Sequence, residues 1–256
     1  MKKLLPLLLI FAVIYPADLQ AQTQTEETKV TVRALAKDAK FIGSSMGGAY
    51  VTIRDIQSGE LLAEGFTEGS TGNTQKLMRE PHARYGKLST PGAAKFEASL
   101  QLDEPTFVEV SAAAPVDQKQ SQVTTSTQLW LIPGKHITGD GIVLEIPGFA
   151  IDIMEPRAHE TSTGESISIT ANAVMMCGCP TSPDGLWDST EMEFTAVVKK
   201  DGREVARKEM SFSGQTSMFE TSFEPEGQGL YRITVFGYDP RTGNTGVDKS
   251  TVISAN

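Results

Sequence analysis

Cysteine is nearly absent from this chain: 256 residues hold two, Cys177 and Cys179. A framework of several disulfides is therefore excluded, and so is a zinc site built on four thiolates. Histidine is almost as scarce, with only His82, His136 and His159. No two of them stand at the i, i+2 or i+4 spacing of a metal pair, and all three fall in segments read as loops. The HExxH zinc motif, the Gly-x-Ser-x-Gly nucleophile turn, the phosphate loop and the dinucleotide glycine fingerprint are missing. A Ser-His-Asp site needs only spatial convergence, but nothing in the spacing flags one, and the chain is read as not an enzyme. Positive charge is outnumbered, 23 Lys and Arg against 32 Asp and Glu, for a net charge of −9. With no basic run, binding to nucleic-acid phosphates or to anionic lipid is disfavoured. Helix signals are missing as well: no stretch joins a 3.6-residue apolar period to caps.

One long apolar run is present, Leu4 to Tyr15, after Lys2 and Lys3 and before Leu19-Gln20-Ala21. Basic start, apolar centre and small-residue cleavage site are the layout of an export signal. The run is shorter than the roughly 20 residues that span a bilayer, and Pro6 and Pro16 bracket it. Cleavage is expected after Ala21, which makes residues 1–21 a signal peptide. No cysteine follows the run, so a lipid anchor is not expected. The protein is placed in the periplasm or outside the cell, with no membrane span after cleavage.

What remains is strand material. Lys29 to Leu35 and Ala49 to Arg54 alternate apolar and polar residues with period two, as half-buried strands do. Ser58-Gly59 turns the second of these into Leu61 to Phe66, which reads as a hairpin. The residues Gly48-Ala49-Tyr50-Val51-Thr52-Ile53, Asp55, Ser58-Gly59-Glu60, Leu62-Ala63, Gly65, Thr67 and Gly69 resemble the hairpin of the carboxypeptidase-regulatory, or transthyretin-like, sandwich family. The resemblance covers about 25 residues and implies a β-sandwich that accompanies catalysis elsewhere and performs none itself. After Gly69 the chain departs from that pattern with a polar insertion, Ser70 to Gly92, read as a long loop that is either functional or disordered. Strands resume at Ala94 to Leu100, Phe107 to Val110, Val123 to Ile132 and Ile142 to Ile146, and Ala112 to Gln122 reads as loop.

Beyond Pro147-Gly148 about seven further β runs follow, between Phe149 and Ile253, with Asp201-Gly202 as a hairpin turn. That number of short strands suggests an immunoglobulin-like sandwich. The run Gly229 to Asp239 resembles the penultimate strand of bacterial immunoglobulin-like domains, with Tyr231 as either a buried corner tyrosine or an ordinary sheet tyrosine. The whole is read as all-β, two tandem β-sandwich domains: 22–148 transthyretin-like and 149–256 immunoglobulin-like.

The densest chemistry lies at Met175-Met176-Cys177-Gly178-Cys179-Pro180. Ile167, Ile169, Ala171 and Ala173 share one face of the preceding strand. If the strand continues, Met175, Cys177 and Cys179 face the core at its rim, and Met176 and Gly178 face outward. Three readings stay open. One is a Cys177–Cys179 disulfide, with Cα atoms about 6.6 Å apart in an extended strand and Gly178 able to bend the chain. Another is a soft-metal site for Cu(I), with Met175, Cys177, Cys179 and Met176 as ligands and His159 as a nitrogen donor. The third is a pair of buried free thiols packed as small hydrophobes. The functional expectation is an exported, non-enzymatic binding or scaffolding protein with a protein or cell-envelope partner. The alternative is a periplasmic Cu(I)-binding or redox protein using this segment.

Overall fold

The computed structural model describes residues 25–256. The expected export signal and cleavage site lie outside them. Sixteen strands carry the fold, and α1 (Thr74–Met78) is its one α-helix among the described residues. In the first half β1 (Glu26–Ala36) pairs with β4 (Phe96–Leu102) on one side and, in parallel, with β7 (Ile137–Ile146) on the other. A second sheet has the order β3 (Leu61–Phe66), β2 (Tyr50–Asp55), β5 (Thr106–Ala114), β6 (Val123–Leu131). The inward sets are those of a period-two pattern: Val30, Val32, Ala34 and Ala36 from β1 meet Val51, Ile53, Val108 and Val110 from the facing sheet, all buried. The turn after β4 carries the chain across from one sheet to the other, since β4 and β5 do not pair.

The second half repeats the architecture. One sheet contains β13 (Ser211–Phe212), β14 (Met218–Phe223), β10 (Ile167–Met175) and β8 (Phe149–Glu155). The facing sheet runs β12 (Arg203–Glu209), β11 (Glu193–Lys200), β15 (Gly229–Asp239), β16 (Asn244–Ser254), β9 (Glu160–Ser162). Phe194 sits at the centre of the core, with its ring 4.1 Å from that of Phe219 and 5.8 Å from that of Phe149. Asp201 (φ 50°) and Gly202 (φ 81°) form the β11–β12 turn, where both central residues need positive φ to match the strand twist. Tyr231 is fully buried, and its hydroxyl donates to the Gly227 carbonyl at 2.8 Å. That is the corner arrangement, in which one polar tip ties the strand entry to the chain upstream.

Two local expectations need correction. Ala112–Ala114, read as loop, extends β5, because the small side chains still alternate between core and surface. The strand expected at Ile142 to Ile146 begins earlier, at Ile137, with an irregularity inside β7: Val30 pairs with Ile137, but Val32 pairs with Ile142. The extra residues bulge out of the sheet, which re-aims their side chains. Gly141 (φ 69°) permits this, since a Cβ there would collide with the Thr31 carbonyl.

The insertion Ser70–Gly92 is the loop expected, ordered as a layer that covers the outer face of the β4-β1-β7 sheet. Leu77 of α1 packs with Phe41, Ala93 and Ala94, against Leu35 of β1 and Val143 of β7. Asn73 caps α1, accepting from the Lys76 N–H at 2.9 Å, which satisfies one of the first-turn donors. Of the outward-pointing residues of β1, Thr31 and Arg33 are buried and Leu35 is half-buried, while Glu27 and Lys29 stay exposed.

Candidate functional site

The chain leaves β10 at Met175 and reverses at once. The Gly178 N–H donates to the Met175 carbonyl at 2.7 Å, and the Met175 N–H to the Cys179 carbonyl at 3.0 Å. Val174 then bridges to Pro180. Gly178 takes φ 75°, a conformation that costs an L-residue with a Cβ about 1–2 kcal/mol. Because the strand stops here, its period no longer decides which way the next side chains point. Met176, expected to face outward, is 1% exposed. Met175, Cys177 and Cys179 are buried as expected, but not at an accessible rim. The turn brings the Cα atoms of Cys177 and Cys179 to 5.3 Å, and their sulfurs are bonded.

What buries this turn is the first half of the chain. A Cβ on Gly178 would lie 2.8 Å from Sδ of Met46, so Met46 packs directly over the turn. Cε of Met176 packs in the same way against Gly148, at 3.0 Å from a Cβ built there. Polar contacts frame this apolar patch. Trp187 Nε1 donates to the Asp38 carbonyl at 2.8 Å. Asn244, fully buried, accepts from the Gly148 N–H at 2.8 Å and donates to the Lys37 carbonyl at 3.1 Å. Ser121 accepts from the Ile151 N–H at 3.0 Å. Beside them Asp239, with no exposed side-chain surface, pairs with Arg241 at 3.1 Å. Burial alone raises the Asp239 carboxyl, but the hydrogen bonds and charge of Arg241 outweigh it and hold it below the usual range. The sulfur-rich turn is thus a plug in a buried contact between residues 37–46 and the second half of the chain.

The histidines do not join it. His159 (φ 65°) is exposed, with its N–H on the Thr251 carbonyl at 2.9 Å. It follows β8, whose start pairs with Met175 and whose end pairs with Thr170. The length of the strand separates it from the cysteines, roughly 15–20 Å at the usual rise. His136 accepts from the Lys29 N–H at 3.2 Å, and His82 lies in the insertion, with Nε2 3.0 Å from the Lys76 carbonyl. All three are exposed, and none touches a carboxylate in a relay.

Two further features were not read from the sequence. One is a buried polar clamp under the insertion. Arg33, 5% exposed, donates through Nη1 to the carbonyls of Ala93 (2.8 Å) and Ala94 (2.7 Å) and through Nη2 to that of Gly139 (3.2 Å). Its guanidinium lies 5.4 Å from the Phe41 ring centre. Burial lowers its pKa, against the opposing charges of Asp140 and Glu97. Asp140, carried out of the sheet by the β7 irregularity, accepts from the Leu88 N–H at 2.6 Å and the Ser89 N–H at 2.9 Å. Burial raises its carboxyl, but the Ser89 hydroxyl, these two amides and the Arg33 charge prevail and hold it below the ordinary range.

The other feature is the outer face of the β3-β2-β5-β6 sheet. Register places Tyr50 opposite Phe66 and Phe107 opposite Trp130, with both pairs on the solvent side. Phe66 is 50% and Trp130 54% exposed. Between the pairs the face is polar: Thr52 shares a 2.8 Å hydrogen bond with Ser111, and Glu64 accepts from the Tyr50 hydroxyl. The period-two pattern of these strands carries this signal, since Tyr50 and Phe107 occupy outward positions that solvation alone would leave polar.

No protein-family model matches the chain, and no curated protein sequence does. Solved structures align to it at low similarity. An engineered protein is 16% identical over 49% of this chain and 24% of its own, with a TM-score of 0.33. The fibronectin(III)-like modules of CbhA from Clostridium thermocellum are 11% identical over 89% of this chain and 93% of theirs, TM-score 0.28. The chicken interferon gamma receptor alpha chain is 12% identical over 89% of this chain and 97% of its own, TM-score 0.33. The all-β assignment rests on the strands and their pairing. No helix among the described residues is long and apolar enough to cross a membrane.

Proposed function

We propose that this is an exported, non-catalytic binding or scaffolding protein of two β-sandwich domains, 22–148 and 149–256. The first is of the carboxypeptidase-regulatory kind and the second of the bacterial immunoglobulin-like kind. Its partner, a protein or another cell-envelope component, meets the outer face of the β3-β2-β5-β6 sheet. The observation that carries this is the exposure of Phe66 and Trp130, each stacked on a second ring. Leaving such surface in water costs free energy that a partner recovers, and Tyr and Trp are favoured at contact sites. The packed turn at Cys177–Cys179, Met46 and Asn244 supports the scaffolding part, because it joins the halves through buried contacts instead of a free linker.

The test is capture of a defined envelope component by the mature protein, followed by the Phe66→Ser/Trp130→Ser variant. Retention by wild type and loss by the variant is expected. A substrate turned over in a broad hydrolase and oxidase screen, with activity lost in His82→Ala or His159→Ala, would overturn the reading.

A second reading has one observation in its favour. Met46 packs beside Gly178 and so brings a thioether to the turn that carries Met175, Met176, Cys177 and Cys179, all buried. Reduction of the Cys177–Cys179 bond by an external thiol, two electrons and two protons, would yield two thiols that lose their protons on binding Cu(I), a soft cation suited to this donor set. Reduced protein is then expected to take up one Cu(I), and Cys177→Ser to remove it. Equal uptake by the Cys177→Ser/Cys179→Ser variant would sink this alternative.

A further inference from the structure

The insertion over the β4-β1-β7 sheet reverses the local charge of the molecule. Between Asn73 and Ser89 it carries Lys76, Arg79, Arg84 and Lys87 against Glu80 alone. The whole chain has a net charge of −9, so everything outside this segment is more negative still. The cations are spaced out within this one stretch, so they form no unbroken basic run, and Lys76 and Lys87 line one cavity. Arg79, Arg84 and Lys87 are exposed, Lys76 is half-buried, and among the described residues none of the four is in an ion pair. At the tip Tyr85 is 88% exposed, with the Arg84 guanidinium 5.1 Å from its ring centre. The same segment lines a small cavity of about 170 Å³ with Lys76, Glu80, His82 and Lys87 in its wall. The segment is not a loose tail, because Leu77 and the Asp140 clamp fix both of its ends to the sheet.

We propose that this insertion is a docking site for an acidic peptide segment of a partner protein. Three physical points favour that occupant. The charges are complementary, and unpaired exposed cations flanking an aromatic ring are the composition of a contact site. Two of the cations are arginines, whose planar forks match carboxylates in pairs of parallel hydrogen bonds. The partner must also be narrow. A planar anionic surface such as a bilayer extends past the insertion and also faces the rest of the chain, which is net negative and repels it. An extended chain lies along the insertion alone. The site is on the opposite sheet of the first sandwich from the exposed aromatic pairs, so it stands or falls separately from the binding face proposed above.

The experiment is fluorescence anisotropy of a labelled deca-glutamate peptide with the mature protein. Parallel arms use phosphatidylglycerol vesicles and polygalacturonate. Binding of the peptide is expected, weakening steeply with added salt. Arg84→Glu/Lys87→Glu should weaken it at least about tenfold, each reversal removing one exposed ion pair and adding one repulsion. Tyr85→Ala should weaken it less, and Lys208→Glu, an exposed cation of the other half, should leave it within about twofold, in line with a single exposed pair. All four positions are exposed, and a native circular dichroism spectrum of each variant is the folding control. No peptide binding, binding insensitive to Arg84→Glu/Lys87→Glu, or binding to the vesicles or the polysaccharide without the peptide would each overturn the proposal.

Discussion

Asp140→Asn should release the insertion from the sheet while leaving the sandwich folded. The carboxylate accepts two backbone N–H groups, from Leu88 and Ser89, and the Ser89 hydroxyl. Hydrogen bonds to a charged acceptor contribute about 1.5–3 kcal/mol each, against about 0.5–1.5 for neutral ones. Asparagine keeps one acceptor oxygen and turns an NH₂ group toward donors. The loss is therefore one bond outright and the charge assistance of the rest, about 2–4 kcal/mol before discounting. Asp140 is only half-buried, and water replaces part of that, which leaves about 2 kcal/mol. In local opening this is about a 30-fold change, since each 1.4 kcal/mol is tenfold. Amide hydrogen exchange at Leu88 and Ser89 reads it directly, while exchange in β11 and β15 should stay unchanged. The pH dependence has a definite sign. The folded carboxyl sits below its ordinary value, so its stabilisation is present above the unfolded pKa of about 3.9 and is lost as pH falls through the folded value. The wild type and the variant should therefore differ at pH 6 and converge toward pH 3. Protection in Asp140→Asn within about twofold of wild type at pH 6, well below that 30-fold, would refute the clamp. So would a gap that persists unchanged at pH 3.

Three other outcomes are expected. Gly178→Ala should destabilise by about 1–3 kcal/mol in urea unfolding, from positive φ together with contact on Met46; in a Met46→Ala background the cost should shrink, and strict additivity would count against that contact. Asn244→Ala leaves the Gly148 N–H and the Lys37 carbonyl without partners, at a cost of about 1–3 kcal/mol, and small-angle scattering should show the two halves moving relative to each other. Tyr231→Phe removes the bond to Gly227 and should cost about 1 kcal/mol with the native spectrum intact.

The legibility of this protein follows the range of the forces involved. Strand period is a local property: Val30, Val32 and Ala34 can alternate only if one face is buried, so β1 is visible before any partner is known. The same holds for Asp201-Gly202, whose turn needs nothing beyond its own backbone. The insertion is the loop expected, and its order was not legible because that order comes from Phe41, Val143 and Asp140, distant in sequence, and α1 is too short to announce itself by period. Met176 was misplaced for a related reason. Side-chain direction follows from alternation only while the strand lasts, and the turn at Gly178 ends it at Met175, four residues before Cys179.

By itself the sequence determined that the chain is all-β and where most strands and turns lie. Local propensity and burial period suffice for that. Only the tertiary structure decided that the sulfur-rich segment is a buried plug between the halves, that Arg33 and Asp140 pin a third layer to the first sandwich, and that this layer holds its cations exposed. Each of these depends on which distant residues meet. Close packing and the pairing of buried polar groups select those meetings, and neither leaves a periodic trace along the chain.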